Sequence, residues 1–501
     1  MKTVTTAQSR QLDQLAIAAG VSGEQLMDRA GYAVARTTFH LVQSVAGRCV
    51  LLVAGKGNNG GDAIVAARHL ASAGCQPVLA MLCRRHDLRG DALAHFQRLP
   101  PGIKIIENAR LDDLREIQTE LSPSAVVDGL LGTGLSGDVR DLYAEVIGWI
   151  NTQRLLVVAI DIPSGLDGDT GAVHGVAVRA DVTVTMGLPK IGLMRGGAPD
   201  FTGRIEVADI GFPRALVDAI GSDVELITAA DIASLFPPRR RASHKGDYGH
   251  LLVVAGSEGY TGAPVLAAHA AARMGAGLVT LAVPRNVYPI VAGVCPAEIM
   301  PRPLDSIETL GPYDAFAIGP GMGQSPGTRE SIFEWLTKSS VPVVVDADAL
   351  NALAGDMSVL DRVTGPVVMT PHPGEMSRLT GASVAEVESD RWRMAREFAR
   401  QRRVTLVLKG AGTVVAGDGG MLWINSTGNP GMARGGMGDV LTGMIGALLA
   451  RGIAPLDAAR SGVFLHGLAG DMARDRVGEE AMLAGDVIAL MGEAIRSCSA
   501  V

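Results

Sequence analysis

The sequence predicts an α/β protein of two domains, each a parallel sheet covered by helices, and three observations predict it. Short apolar runs of strand length alternate with helix-period segments from one end to the other, as in sheets buried on both faces. The 501 residues exceed what a single core usually organises. The alternation breaks once, over residues 212–246, where "GFPRALVDAIGSDVE" and "FPPRRRASHKG" interrupt both periods with prolines and a basic cluster. The first domain is therefore expected over residues 1–215, a linker and boundary segment over 216–245, and the second domain over 226–501.

In chain order, "SGEQLMDRAGYAVARTTFHLV" opens with Ser22 three residues before Gln25, the pattern of a capping box ahead of a long helix. Strands are expected at 50–53, 78–82, 125–127, 156–160, 182–186 and 205–207. In "LLVAGKGNNGGDAIVAARHL" a glycine-rich turn joins the first of these to a helix expected from Asp62 onward. Past the boundary, strands are expected near 251–255, 279–283, 315–318, 343–345, 367–369 and 405–408, then a hairpin around "VVAGDGGMLWI". Two helical stretches, 439–450 and 456–476, end the pattern. No short repeat suggests a solenoid.

Composition narrows the function classes. Hydrophobic residues make up 47% and charged ones 19%, with 63 glycines, which suits a globular chain rather than a disordered one. The net charge of -7 gives no basic footprint for nucleic acid. Five scattered cysteines, Cys49, Cys75, Cys83, Cys295 and Cys498, lack metal-ligand spacing and read as reduced thiols, so no structural zinc is expected. The N-terminus lacks a signal-peptide core, and no apolar run reaches the roughly 18 residues of a membrane helix. A soluble, cytoplasmic protein with no membrane partner is expected.

In open parallel sheets ligands gather at the carboxyl ends of strands. The first domain puts polar residues there three times: Asn58, Asn59 and Asp62 after one strand, Asp128 and "GLLGTGLSGD" after another, Asp161 and Ser164 in "DIPSG" after a third. Glycines in "GNNGGD" and "GTGLSG" allow backbone N–H groups to approach anionic oxygen, so a phosphate-bearing substrate fits. Asn59, Asp128 and Ser164 offer only hard oxygen donors, which suit an alkali or alkaline-earth cation rather than zinc. The alternative is that these residues shape turns and cap helices.

"GKGNNGGDA", "DGLLGTGLSGDV" and "AIDIPSGLDGDTG" resemble the motifs of the NAD(P)HX epimerase family, the YjeF N-terminal type, over roughly the first 215 residues. The resemblance implies a Rossmann-like three-layer domain that interconverts the R and S hydrates of NADH and NADPH (NADHX and NADPHX) at C6 of the nicotinamide ring. It implies substrate contacts from Asn58, Asn59, Gly60, Gly61 and Asp62, from Gly132, Thr133, Gly134, Leu135, Ser136, Gly137 and Asp138, and from Asp161. It also implies potassium ligands at Asn59, Asp128 and Ser164. Inverting C6 requires its C–O bond to break and re-form through an iminium-like intermediate, and Asp161 is the carboxylate expected to move the hydroxyl proton.

In the second domain, "NSTGNPGMARGGMGDVLTGMIGALLARG" runs through glycines to Gly438-Asp439 and into a helix. N–H groups at that terminus can bind an anion with a carboxylate at its mouth, a geometry suited to phosphoryl transfer. A plain glycine turn with Asp439 as helix cap is the alternative. "KGAGTVVAGDG", "TPHPGEMSRL", "GPGMG" and "HKGDYGHLLVVAGSEGYTGAPVLAAHAAARMGAGLVT" join this stretch in resembling the ribokinase-like superfamily, specifically its ADP-dependent NAD(P)HX dehydratase branch, from Leu226 onward.

By that resemblance ADP phosphorylates the C6 hydroxyl of the S hydrate, phosphate leaves, and the reduced cofactor is restored with AMP as by-product. Asp439 would be the base. Lys409, Gly410, Ala411, Gly412, Thr413 and Gly438 would contact the nucleotide, Ala263, Gly323, His372 and Asp439 the hydrate, and Glu375 magnesium. His372, between prolines, alternatively braces its loop. Arg434 stands where this motif commonly has a small residue, either near phosphate or pointing outward. Potassium, magnesium and ADP as co-substrate are thus expected, with a homo-oligomeric assembly; the Met-rich "MGDVLTGMIGALLA" suits either a core or a subunit contact. Competing readings are a vitamin or sugar kinase, and a first domain that only binds or scaffolds.

Overall fold

A computed structural model describes residues 1–45, 48–135, 137–304 and 312–499. The chain divides into two compact units, one of Lys2–Ser222 and one of Asp223–Val501 together with Met1. Ser136, an expected substrate contact, lies outside the described residues.

The first unit holds seven strands: β1 (Cys49–Ala54), β2 (Gln76–Met81), β3 (Lys104–Glu107), β4 (Ala125–Gly129), β5 (Leu156–Ile160), β6 (Val182–Met186) and β7 (Arg204–Ala208). They form one parallel sheet in the order β3-β2-β1-β4-β5-β6-β7. Both faces are buried, which is why its strands read as continuous apolar runs. Val50, Leu52 and Ala54 enter one core, and Cys49, Leu51 and Val53 the other, so alternate side chains of β1 serve two helical layers. The order reverses between β1 and β4, and ligands bind at such a crevice. The expected capping box is present: Gln25 N donates to Ser22 Oγ at 3.2 Å and Ser22 N to Gln25 Oε1 at 3.3 Å.

The second unit holds β8 (Val224–Leu226), β9 (His250–Val254), β10 (Leu278–Pro284), β11 (Met300–Leu304), β12 (Ala315–Ile318), β13 (Val343–Val345), β14 (Val367–Met369), β15 (Thr405–Leu408), β16 (Thr413–Ala416) and β17 (Leu422–Asn425). Their order is β11-β10-β9-β12-β13-β14-β15-β16-β17-β8, reversing between β9 and β12. Among the described strands of this sheet only the β15–β16 and β16–β17 pairs are antiparallel, which includes the expected hairpin. The helix Met437–Ala450 is buried along its length, and a Cβ at Gly443 would meet the Ala267 carbonyl at 2.0 Å. This Met-rich segment is core, and its glycine is what lets the backbone of the helix Gly262–Arg273 approach so closely.

Several boundaries differ from expectation for physical reasons. The helix after β1 begins at Asn58, not Asp62, so the "NNGGD" residues are its opening turns. β11 carries no strand signal in the sequence because Pro301 and Pro303 interrupt it, which an edge strand tolerates. β3, four residues with exposed ends, and β8, three residues long, are too short for a periodic signal. A further helix, Ala484–Ser499, follows the two expected at the C-terminal end. Within the segment expected as a linker, Leu216 packs on the first unit's core while Val224–Leu226 joins the second sheet beside β17.

Candidate functional sites

The first site forms where β1, β4, β5 and β6 end. The helix Asn58–Ser72 starts there with Gly57 as its N-cap and no side-chain cap, so its first N–H groups are available. Gly60 and Gly61 are packing requirements: a Cβ on Gly60 would meet the Gly55 carbonyl at 1.9 Å, and one on Gly61 the Met27 side chain at 2.7 Å. Asn59 Nδ2 donates to the carbonyls of Leu131 at 2.8 Å and Ile160 at 2.9 Å, tying the helix to the ends of β4 and β5. That fixes its amide rather than leaving it to shape a turn.

Asp128 is fully buried. Its Oδ1 accepts from Ser164 Oγ at 2.6 Å and Leu130 N at 3.2 Å, and its Oδ2 from Ser164 N at 2.8 Å. Burial raises its pKa to about 6 despite these bonds, and among the described residues no cationic side chain offsets the burial. Ser164 Oγ also accepts from Leu131 N at 2.8 Å. Asn59, Asp128 and Ser164 therefore meet around the backbone of Leu131. Of the glycine loop that follows, a Cβ on Gly132 would lie 2.9 Å from Asn59 Oδ1, whereas Gly134 has open space around it and Gly137, at φ +78°, does too. Thr133 offers its carbonyl to Arg10 of the helix Thr6–Ala18, and Asp138 is exposed.

Asp161 follows β5 with φ +62°, a left-handed conformation that an aspartate tolerates better than most residues. Its Oδ1 accepts from Lys190 Nζ at 2.5 Å, Met186 N at 3.0 Å and Thr185 Oγ1 at 3.2 Å. Sequence reasoning missed Lys190 and Asp13. Lys190 lies past the end of β6 in "GLPKIGLM", and a lone lysine among apolar residues was the available signal. It is 1% exposed. Asp13 is half-buried on the helix Thr6–Ala18, and burial raises its carboxyl, with Lys190 opposing and Asp161 adding.

The second site is built on the helix Met437–Ala450. Its N-cap is Gly436, at φ +93° and without a side-chain cap, so Asp439 lies inside the first turn and is not the cap. Lys409, one residue past β15, donates to Asp346 Oδ1 at 2.8 Å and stands 3.8 Å from Glu375 Oε2. Asp346, at the end of β13, also accepts from Thr370 Oγ1 at 2.8 Å and Thr442 Oγ1 at 2.7 Å. Burial works against its charge, but Lys409 and these hydrogen bonds outweigh burial and hold the carboxyl below the usual range. Burial likewise opposes the Lys409 charge, yet Asp346 and Glu375 keep that ammonium's pKa raised.

Asp439 responds the other way. Burial, then the neighbouring Asp346, push its pKa up to about 7, with Lys409 opposing. Gly438 admits the two charged groups: a Cβ there would lie 3.4 Å from Lys409 Nζ and 3.8 Å from Asp346 Oδ2. Sequence reasoning missed Asp346, whose strand-end position in "VVVDADAL" was the available signal.

The "KGAGT" turn joins β15 to β16. Thr413 Oγ1 donates to the Gly410 carbonyl at 2.9 Å, and Gly412 adopts φ +63°. Arg391 clamps the turn from outside, donating to the carbonyls of Leu408 at 3.0 Å, Lys409 at 2.9 Å and Ala411 at 2.8 Å. Gly323 N donates to Asp348 Oδ2 at 2.8 Å, and Asp348 in turn acts on Asp439. Ala263 lies against the same glycine turn, 3.3 Å from where a Cβ on Gly321 would sit.

His372 caps the helix Pro373–Thr380. Its Nδ1 accepts from Gly374 N at 3.0 Å and Glu375 N at 3.3 Å, which assigns the proton of the neutral ring to Nε2. Burial and then Lys409 lower its pKa. The loop-bracing alternative for His372 therefore has a structural basis. Glu375 is buried, its Oε2 accepting from His372 N at 2.8 Å, and burial raises its pKa. Arg434 turns outward to the Glu480 carbonyl. Among the described residues no three His, Cys, Asp or Glu side chains gather as a metal cage, and no helix is long and apolar enough to cross a membrane.

Two sheet-and-helix units, each with a helix N-terminus that no side chain caps and buried carboxylates at strand ends, define a two-domain α/β enzyme that handles nucleotides. The comparisons make the class specific. Residues 23–192 match the family model of the YjeF-related protein N-terminus, and residues 251–491 that of NAD(P)H-hydrate dehydratase. The chain is 43% identical to a bifunctional NAD(P)H-hydrate repair enzyme of Moorella thermoacetica, over 99% of this chain and 97% of that one. It is 37% identical to the Escherichia coli enzyme of that description, over 94% and 89%.

Among solved structures, the second unit resembles an ADP/ATP-dependent NAD(P)H-hydrate dehydratase from Bacillus subtilis, co-crystallised with ATP and magnesium. That match has TM-score 0.50 and 34% identity, covering 56% of this chain and all of that one. A ribokinase-like superfamily protein from Enterococcus faecalis shares the fold at TM-score 0.51 and 24% identity, covering 56% and 98%. The chain belongs to the bifunctional NAD(P)H-hydrate repair enzyme family.

Proposed function

We propose that the first site epimerises the C6 hydroxyl of NADHX and NADPHX, and that the second site dehydrates the S epimer with ADP, releasing AMP and phosphate. The observation that carries this reading is the pairing, in one chain, of two sites with opposite electrostatics. In the first, the Asp161 carboxylate rests on a buried ammonium, suited to proton movement at a polarised C–O bond. In the second, a carboxyl with its pKa near 7 stands at an open helix N-terminus beside Lys409, suited to taking a hydroxyl proton as phosphate arrives.

The donor set of Asn59, Asp128 and Ser164 fits potassium: the oxygens are hard and the buried carboxylate has no cationic partner among the described residues. Potassium would supply that missing charge and order the Leu131 backbone. Magnesium fits the second site as an ion carried largely by nucleotide phosphates, with Glu375 as its single protein carboxylate. Lys409, the "KGAGT" turn and the N–H groups around Gly438 hold the nucleotide. Ala263, Gly323 and the exposed side of His372 face the hydrate.

Asp439 accepts the C6 hydroxyl proton while the oxygen attacks the terminal phosphorus of ADP. Phosphate then leaves C6, and loss of the C5 proton restores the double bond. The sugar or vitamin kinase reading lacks a comparable pairing, since it leaves the first site without a task. Two variants test the assignment. Asp439→Asn should block release of NADH while R and S hydrates still interconvert, and Asp161→Asn should confine repair to the S epimer. Retained full repair in either variant contradicts the corresponding assignment.

A further inference from the structure

Four ionisable groups lie within electrostatic reach of one another at the carboxyl end of the first sheet: Asp13 from the helix Thr6–Ala18, Asp62 from the helix Asn58–Ser72, whose first turn is tied to the residue before Asp161 by Asn59 Nδ2 and the Ile160 carbonyl at 2.9 Å, Asp161 after β5 and Lys190 after β6. Three carboxyls share one ammonium, and that ammonium is committed to Asp161 Oδ1 and the Met186 carbonyl. Asp62 is 8% exposed and has no hydrogen bond or ion pair among the described residues. A buried carboxylate without a partner is unstable as an anion. Burial first, then the charges of Asp161 and Asp13, hold its pKa well above the usual carboxylate range against the opposing effect of Lys190. A carboxyl held toward its protonated form therefore stands near a carboxyl paired with Lys190, the arrangement that separates acid from base within one site.

We propose that Asp62 is the proton donor to the departing C6 hydroxyl, paired with Asp161 as the proton acceptor; the proposal rests on the epimerase reading of this site. Inversion needs two groups because water leaves one face of C6 and adds to the other. The Asp62 carboxyl gives its proton to the hydroxyl oxygen as the C6–O bond breaks. The ring-nitrogen lone pair becomes the N1–C6 π bond, and water departs. Water then adds to the opposite face, the π electrons return to N1, and Asp161 Oδ2 takes the proton of the adding water. One proton has passed from Asp62 to Asp161, no other reactant is consumed, and the reverse reaction runs with the roles exchanged. Asp13 touches no reacting atom in this scheme; it is a positioning residue whose charge keeps Asp62 protonated.

The experiment follows purified S-NADHX in oxygen-18 water without ADP, reading both R epimer formation and label incorporation at C6. The wild-type enzyme should form labelled R epimer, and Asp62→Asn should slow both readouts by about a hundredfold or more, with Asp62→Glu recovering part of the rate. Binding of R-NADHX to the Asp62→Asn chain, measured by calorimetry, should persist. An Asp62→Asn enzyme that keeps its kcat and only raises KM overturns the proposal, leaving Asp62 as a binding residue and the epimerase reading intact. A wild-type enzyme that forms no R epimer overturns the epimerase reading itself.

Asp13→Asn gives a test independent of losing the donor. It should leave the plateau rate near wild type and move the alkaline limb of the pH profile to lower pH, because removing that charge lets Asp62 ionise earlier. A pH profile unchanged in Asp13→Asn contradicts its role.

Discussion

Lys190 Nζ donates to Asp161 Oδ1 at 2.5 Å, with the lysine almost wholly buried and the aspartate held in a left-handed backbone conformation. Strain of that kind persists only where the surroundings over-determine it. Here the Lys190 ammonium, Met186 N and Thr185 Oγ1 all converge on one oxygen, Oδ1, and none of the three bonds Oδ2.

Breaking this pair should cost more than it would at a surface. Lys190→Met removes the ammonium that acts on Asp13, Asp62 and Asp161, and truncating one partner of a buried pair typically costs about 3–5 kcal/mol. Denaturant unfolding of the first unit should show a loss of that order, together with loss of epimerisation. A variant as stable as wild type would mean that the cluster is already neutral without the lysine.

The cation reading of Asp128 predicts a linked response. Potassium should raise the unfolding free energy of the wild-type chain, by ~2.7 kcal/mol at a hundredfold excess over its dissociation constant. The carboxyl must be ionised to bind the ion, so the effect should fade as pH drops through about 6, where burial has placed its pKa. Asp128→Asn should abolish the response. An equal response to potassium in that variant would place the ion elsewhere.

The second site has its own pH signature. A base acts when ionised, and burial with Asp346 beside it puts the Asp439 pKa at about 7. The kcat/KM for dehydration should therefore fall about tenfold for each pH unit below that value and level off above it. A profile flat through neutrality would remove Asp439 as the base.

Two arginines, Arg391 and Arg434, should behave differently. Arg391→Ala removes three hydrogen bonds to the carbonyls of Leu408, Lys409 and Ala411, and should raise the KM for ADP and cost about 2–3 kcal/mol of stability. Arg434 is committed to the Glu480 carbonyl, so Arg434→Ala should leave the ADP constant unchanged. A raised constant in Arg434→Ala would put its side chain on phosphate.

The legible parts of the fold were those with a strong local signal. Buried parallel strands such as β5, β6 and β12 appear in the sequence as apolar runs with the boundaries they have in the structure, because both faces need apolar residues. β11 did not, since its prolines contradict strand propensity and only its edge position makes them harmless. Among site residues, Asn59, Asp128 and Ser164 sat in glycine-rich motifs and could be grouped by strand end. Lys190, Asp13 and Arg391 could not, because each acts through partners distant in sequence that only the folded chain brings near. The "NNGGD" stretch was legible as a site but not as helix: its glycines are set by contact with Gly55 and Met27, which no local pattern announces.

The most direct test supplies an equal mixture of R- and S-NADHX to the whole chain and follows NADH absorbance with and without ADP, magnesium and potassium. Complete conversion of both epimers when ADP is present, with no NADH formed in its absence, is the predicted result. Conversion that halts at half the hydrate, or that proceeds without a nucleotide, would contradict the account.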